Sequence, residues 1–197
     1  MNTLKQKKGF DVREYRFTDT KLYYKQGRIG SYNEIDIPFE NIDGEKVSYF
    51  TSRLWLLMTS GLLLLFGIST MILPWAHAGW IPLLPILTSM IFLVFYLFSR
   101  RHFWKIKMKS EEFIYFFKNR PSPAQTNIFI EKMLEARNQY LRENYLSIDE
   151  NLDYEQQYYN LRWLRSIEAI SKPEFEAKYL ELKQTVSPEK KIIGFTR

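Results

Sequence analysis

The sequence predicts an α+β membrane protein in which a transmembrane helical hairpin interrupts an antiparallel β domain. Two long charge-free stretches in the middle of the chain, alternating stretches on both sides of them and amphipathic patterns near the C-terminus support this class. We therefore divide the 197 residues into four parts. They are the first half of the β domain (1–52), the hairpin (53–101), the second half of the β domain with a closing helix (102–146), and a linker with a helical module (147–197).

The two apolar stretches cover 54–73 and 80–99, and neither contains a charged residue. About 20 helical residues, at about 1.5 Å each, cross a hydrocarbon core about 30 Å thick. The connecting loop PWAHAG has no charge, whereas cations flank the other ends. The positive-inside rule then predicts a multi-pass inner (cytoplasmic) membrane protein with both termini in the cytoplasm. The flanking cations are Arg53, Arg100, Arg101, Lys105, Lys107 and Lys109. The three lysines could bind anionic lipid headgroups or form a solvated strand face that also fixes the topology.

Four short stretches before the hairpin have strand character and are separated by turn residues. They are DVREYRF from Asp11, KLYYK from Lys21, SYNEIDI from Ser31 and EKVSYF from Glu45. Tight turns between such stretches predict an antiparallel meander, and we expect the basic first nine residues to be frayed. The glycines of the turn after KLYYK are expected to take positive φ.

Two stretches that follow the hairpin have strand character. Trp104, Ile106 and Met108 alternate with lysines, and FIYFF follows. Two strands are too few to be stable alone, so we expect them to complete the earlier sheet. A helix then begins at Ser122–Pro123, a favourable start, with one apolar side and one charged side that includes Arg137. This helix should close the β domain.

The last fifty residues predict a small αα-hairpin. SIDENLD is an acidic linker, a helix is expected from Tyr154 to Ile170, and Ser171 with Glu174 forms a capping-box pattern for a second helix. About 30 residues bury little surface alone, so the module should dock on a copy of the chain or on another membrane or cytosolic protein. The apolar side chains expected to do so are Leu161, Leu164, Phe175, Tyr179 and Leu182.

Two family resemblances accompany these patterns. YRFTDTKLYYKQG, EIDIPFENIDG and WKIKMKSEEFIYFFKN, followed by an amphipathic helix, resemble the bacterial pleckstrin-homology-like (PH-like) domain. That family usually has seven strands; six are counted here, and the hairpin falls between the fourth and the fifth. LRWLRSIEAISKPEFEAKYLELK resembles the short C-terminal (SHOCT) module of bacterial proteins, with Glu168 in place of its usual glycine. The resemblances imply a fold and a docking role, but no ligand site.

The sequence predicts no enzyme, no cofactor and no metal site. Cysteine is absent, and the two histidines, His77 and His102, are at opposite ends of the second predicted span. An acidic group could be a metal cluster or a solvated linker, and we favour the linker; it comprises Asp149, Glu150, Asp153 and Glu155. An aromatic group could stack nucleic-acid bases or pack a helix pair, and we favour packing; it comprises Tyr154, Tyr158, Tyr159 and Trp163, beside Arg162 and Arg165. Nucleic acid is therefore not an expected partner.

Membrane lipids and a protein partner, or a second copy of the chain, are the partners that the sequence suggests. We expect a membrane-anchored scaffold that recruits partners or self-associates through its C-terminal helices. The alternative is an oligomeric effector that perturbs the bilayer once a signal binds the cytosolic domain. Small residues in the first span could let hairpins approach closely in that case; they are Ser60, Gly61, Gly67 and Ser69.

Overall fold

The computed structural model describes residues 2–28, 31–72 and 83–186. They fall into two compact units, each described here by itself. The first unit combines Met1–Val47 with Trp104–Arg197, and the second is Ser48–Phe103. The described residues form two antiparallel sheets and five α-helices, so the α+β class is confirmed.

The first sheet contains four antiparallel strands in sequence order. They are β1 (Thr3–Lys8), β2 (Asp11–Phe17), β3 (Lys21–Arg28) and β4 (Ser31–Pro38). The expectation of a frayed start is wrong, because β1 pairs with β2 along its whole length and buries Leu4 and Gln6 completely. Gly9 takes a φ of +60° in the turn between these strands, a conformation that favours glycine. Gly27, by contrast, lies within β3.

A short 3₁₀ helix, Phe39–Asn41, leads from the first sheet into the second. The second sheet has the order β5 (Ile42–Thr51), β6 (Arg101–Met108) and β7 (Phe113–Phe117). The stretch expected as the fourth strand of a meander therefore belongs to β5 in the other sheet, and the described strands number seven rather than six. Phe39 and Ile42 are fully buried, and their burial fixes the chain where it passes from the first sheet to the second.

Both sheets and the helix α3 (Pro123–Tyr145) enclose one hydrophobic core in the first unit. Ser122 caps α3, since its side chain accepts a hydrogen bond from the Gln125 backbone N–H at 3.2 Å. Each large apolar side chain that is fully buried contributes about 1.5–3 kcal/mol to folding. The core residues are Leu4, Tyr15, Phe17, Leu22, Ile37, Phe39, Ile42, Ile106, Ile114, Phe116, Phe129, Ile130 and Met133. Residues from before and after the charge-free stretches thus share this core.

The second unit contains two packed helices, α1 (Leu54–Ile72) and α2 (Leu83–Ser99). Ser60 Oγ donates to the Ser89 carbonyl at 3.0 Å, and Ser89 Oγ donates to the Ser60 carbonyl at 2.8 Å. A Cβ added at Gly67 would lie 2.6 Å from Ile86 Cγ1, so a larger residue would not fit there. Leu73, the loop with His77, and Trp80–Pro82 lie outside the described residues.

Among the described helices, only α1 is long and apolar enough to cross a membrane by length and composition. It has 19 residues, a mean hydropathy of 1.9, and 22% of its most apolar window buried. The described part of α2 has 17 residues and falls short of that length. One membrane-span candidate is thus present in the described chain, and the second span stays a prediction.

The C-terminal module consists of α4 (Tyr154–Ser166) and α5 (Lys172–Thr185), which pack together. Helix α4 ends four residues before the expected Ile170, because Glu168 adopts a φ of +58° and Ala169 N–H donates back to the Leu164 carbonyl at 2.9 Å. The predicted capping box at Ser171 and Glu174 is present at the start of α5.

Candidate functional site

The C-terminal module is docked on α3 within the same chain. Leu141 of α3 forms a small core with the end of α4 and the turn that follows it. Tyr145 of α3 packs edge-to-face against Trp163 with ring centroids 5.2 Å apart. The buried members of this docking core are Leu141, Leu164, Ile167, Ala169 and Ile170. The sequence predicted that the module docks, but not that its docking surface lies on α3.

Two arginines of α3 bind the backbone of the turn between α4 and α5. Arg137 donates to the Ile167 carbonyl from Nη1 at 3.1 Å and from Nη2 at 3.2 Å. Arg142 Nε donates to the Ala169 carbonyl at 3.0 Å, and its Nη2 pairs with Glu174 at 3.2 Å. Carbonyls at a helix C-terminus carry partial negative charge, so cations are favourable there. The two side chains therefore hold the module by the end of α4.

Arg137 corrects the sequence analysis, which placed it on the exposed charged side of the closing helix. Its side chain is fully buried. Arg137 follows Met133 by four residues and precedes Leu141 by four, so helical spacing puts all three on one side. That spacing is the signal that could have revealed its burial. The charge type suggested solvent, whereas the guanidinium donates two hydrogen bonds to the Ile167 carbonyl.

The surroundings of Arg137 join three elements of the first unit. Burial lowers the pKa of Arg137 to about 10, while the nearby carboxylates of Asp43 and Glu168 oppose the decrease. A Cβ added at Gly44 of β5 would lie 2.7 Å from the Ile167 carbonyl oxygen and 3.4 Å from Arg137 Nη1. Strand β5, helix α3 and the α4–α5 turn are therefore in close contact at this point.

The residues predicted to bind a partner mostly pack against other residues of the same chain. Leu161, Leu164 and Leu182 are at most 2% exposed, so they present no surface to another protein. Phe175 and Tyr179 are half-buried and stack on each other with centroids 5.9 Å apart. The apolar side chains that the module does expose are different ones: Tyr159 is 61% exposed and Leu180 is 58% exposed.

The cations that flank the predicted hairpin are divided between the two units. In the second unit, Arg53 and Arg100 are exposed, Arg101 is half-exposed, and Arg100 lies over the Tyr96 ring at 5.0 Å. In the first unit, Lys107 and Lys109 are exposed, whereas Lys105 is half-buried with its ammonium 3.3 Å from the Phe113 ring centroid. The alternation of β6 follows the prediction, since Ile106 is fully buried between these lysines.

The aromatic group of α4 is part of the helix packing. Tyr158 lies 5.4 Å from Tyr179 of α5 and 6.4 Å from Tyr154, measured between ring centroids. Trp163 packs in the docking core, so these side chains form no common base-stacking surface. In the described part of the chain, no group of three or more potential metal ligands comes together. Asp149 instead accepts hydrogen bonds from Asn151 within the linker.

A groove of about 530 Å³ opens between β4 and β7 in the first unit. Apolar side chains dominate its lining, including Ile35, Ile37 and Phe113, and carboxylates of Asp36 and Glu112 are also present. Such a lining suits an apolar or cationic group better than an anion. No residue that the sequence analysis singled out as a site lines this groove.

Comparison of the chain with protein-family models, with curated proteins and with solved structures finds no match.

Proposed function

We propose that this protein is a scaffold of the bacterial inner membrane, in which α1 and α2 form a two-span anchor for a cytosolic interaction domain. The observation that carries the proposal is the apolar surface of α1. That helix has no charged residue and exposes large side chains such as Met58 (70%) and Leu62 (69%). Burying such a surface requires lipid or another apolar partner. Cations at Arg53, Arg100 and Arg101 support cytoplasmic termini in this proposal, because the positive-inside rule favours cations on the cytoplasmic side.

The first unit is, in this proposal, a PH-like domain with a SHOCT-like module docked on its closing helix. Four strands in one sheet, three in the other and a following helix support the resemblance, since seven strands is the number usual in that family. The proposed role is to present surfaces to other proteins rather than to catalyse a reaction. Membrane lipids contact the anchor and the cations beside it.

The proposed partner-binding surface is the exposed side of the docked module. Tyr159 and Leu180 are exposed apolar side chains on α4 and α5, whereas the other large apolar residues of these helices are buried or half-buried. Aromatic and apolar side chains exposed on a rigid support are typical anchors of protein interfaces. The partner is a second copy of the chain or another membrane or cytosolic protein.

The alternative function, a bilayer-perturbing oligomer, would use the small residues of α1. Ser60 and Gly67 are occupied in the contact with α2, whereas a Cβ at Gly61 would meet nothing within 4 Å and Ser69 is exposed. Gly61 and Ser69 could thus let hairpins pack together. Depolarisation of cells on overexpression, read with a membrane-potential dye, supports this alternative over the scaffold.

The scaffold proposal is tested by substituting Leu180→Ser in the full-length chain. We expect crosslinked assemblies in native membranes to be lost while membrane insertion is unchanged, because a central apolar anchor removed from an interface costs about 2 kcal/mol or more. Leu152→Ser is the matched control, since Leu152 is 45% exposed in the linker. Assemblies that survive Leu180→Ser and Tyr159→Ser together would exclude this surface.

A further inference from the structure

Trp104 of β6 lies close to two lysines that come from different parts of the first unit. Lys46 of β5 places its ammonium 4.3 Å from the centroid of the Trp104 ring, and Lys118, directly after β7, places its own at 4.1 Å. The three neighbouring strands of the second sheet thus bring together two cations and one indole. Cation–π attraction accounts for the approach of each lysine to the ring.

Cation–π attraction does not explain the indole N–H of Trp104. Its Nε1 is buried and has no hydrogen-bond partner among the residues that the structure describes. Buried donors in folded proteins are nearly always paired, so each exception needs an explanation such as a bound ion. Two ammonium groups lie over the ring that carries this donor, and their charge suits an acceptor that carries negative charge.

The charges around Lys46 also favour a negatively charged ligand. Its ammonium donates to the neutral amide oxygen of Asn127 at 3.1 Å, and among the described residues it makes no ion pair. Burial lowers the pKa of Lys46, repulsion from Lys118 lowers it further, and Glu131 opposes both effects. An anion that contacts both ammonium groups would remove this repulsion.

We propose that Lys46, Lys118 and the indole N–H of Trp104 form a binding site for a phosphate group. Phosphate presents several acceptor oxygens and one to two negative charges, so one group can accept from the indole and pair with both lysines. The group is either a phospholipid headgroup or free phosphate. The site lies entirely in the first unit, and it is independent of the proposed scaffold function and of the groove between β4 and β7.

The test follows the five tryptophan indole signals of the ¹⁵N-labelled full-length chain in micelles of a neutral detergent, with Trp104 assigned through Trp104→Phe. Inorganic phosphate and short-chain phosphatidylglycerol are titrated separately at constant ionic strength. We expect a saturable shift of the Trp104 signal, and Lys46→Gln and Lys118→Gln should each weaken binding about five-fold. The matched control is Lys132→Gln, an exposed lysine on α3, which should leave the affinity unchanged.

The indole signal of Trp163, which packs in the docking core of the first unit, reports whether each variant stays folded. Saturation by inorganic phosphate identifies free phosphate as a sufficient ligand, and saturation by the lipid alone identifies a headgroup. No saturable shift with either probe overturns the proposal, and so does an equal loss of affinity in Lys132→Gln. Because the readout is one indole, its failure is distinguishable from a failure of the scaffold proposal, which concerns assembly.

Discussion

Buried polar side chains connect segments of this protein that are a hundred or more residues apart. Gln6 of β1 accepts a hydrogen bond from the Phe117 backbone N–H at 2.7 Å and donates to the Phe117 carbonyl at 2.9 Å. Arg13 and Tyr15 of β2 both donate to the Tyr115 carbonyl, at 2.9 and 2.5 Å. Strand β7 lies at an edge of its sheet, so these side chains supply partners that a neighbouring strand would otherwise provide.

Tyr140 links α3 to the 3₁₀ helix between the sheets, and it gives this contact a pH dependence. Tyr140 donates to Glu40 Oε1 at 2.7 Å, and this bond to a carboxylate is the main cause that raises the pKa of Tyr140 to about 12. A pKa raised above its unfolded value stabilises the fold fully below about pH 10. That contribution is lost as the pH rises through about 12.

The prediction is that Tyr140→Phe removes one tyrosine that ionises near pH 12, read as ultraviolet absorbance of phenolate in an alkaline titration. Glu40→Gln should instead keep that tyrosine and shift its ionisation towards lower pH, because the carboxylate that favours the protonated phenol is gone. A titration that Glu40→Gln leaves unchanged would contradict the assigned hydrogen bond.

At the scale of elements, α3 contacts both the β core and the C-terminal module of the first unit. One part of it, with Phe129, Ile130 and Met133, closes the core of the two sheets. The following part, with Arg137, Leu141 and Arg142, holds the C-terminal module. A helix of 23 residues is about 35 Å long, which is enough for two binding surfaces in succession.

Arg137→Ala is expected to release the module from α3 without unfolding the β core. The substitution removes two charge-assisted hydrogen bonds to the Ile167 carbonyl and a third to Asn138, at a cost of about 2–4 kcal/mol. The amide protons of residues 167–170 should exchange faster, measured by hydrogen–deuterium exchange mass spectrometry, while those of β2 and β3 keep their protection. Lys132→Ala, on the exposed side of the same helix, is the control. Equal exchange in the variant and the wild type would show that Arg137 does not hold the module.

At the scale of the whole molecule, the two compact units alternate along the chain. The second unit, Ser48–Phe103, is inserted between segments that share one core. The insertion joins β5 and β6, which are neighbours in the second sheet, and the rings of Phe50 and His102 lie 4.7 Å apart. Since adjacent antiparallel strands can be joined by a short turn, the first unit does not need the inserted helices for its connectivity.

Replacing Ser52–Arg100 by an Asn-Gly turn should therefore give a folded domain that no longer sediments with membranes. We expect the shortened protein to unfold cooperatively on heating, measured by circular dichroism, and to be recovered in the soluble fraction after lysis. The reason is that the hydrophobic core of the first unit is retained. The same deletion carrying Ile106→Asp is the control, since a carboxylate in the core should abolish folding. A deletion protein that stays in the membrane fraction would show that α1 and α2 are not its membrane anchor.

Features that depend on local pattern are visible in the amino-acid sequence alone. Strand-forming stretches between turn residues predicted β2, β3, β4, β6 and β7, capping residues predicted the starts of α3 and α5, and a charge-free stretch predicted α1. Local pattern does not reveal β1, because lysines and glutamine in KQKK resemble a solvated terminus until Gln6 is paired with a strand more than a hundred residues away. Period and capping act over a few residues, so one sequence is enough to show them.

Which surfaces are buried within the chain became visible only in the packed structure. β5 belongs to the second sheet, and Arg137, expected on the solvent-facing side of its helix, is buried. Leu161, Leu164 and Leu182 are also buried, so they are not available to partners. The packed structure also gathers Lys46, Trp104 and Lys118, which no motif connects. The physical reason is that burial and charge pairing depend on contacts between residues distant in sequence, and those contacts are fixed only when the strands and helices pack.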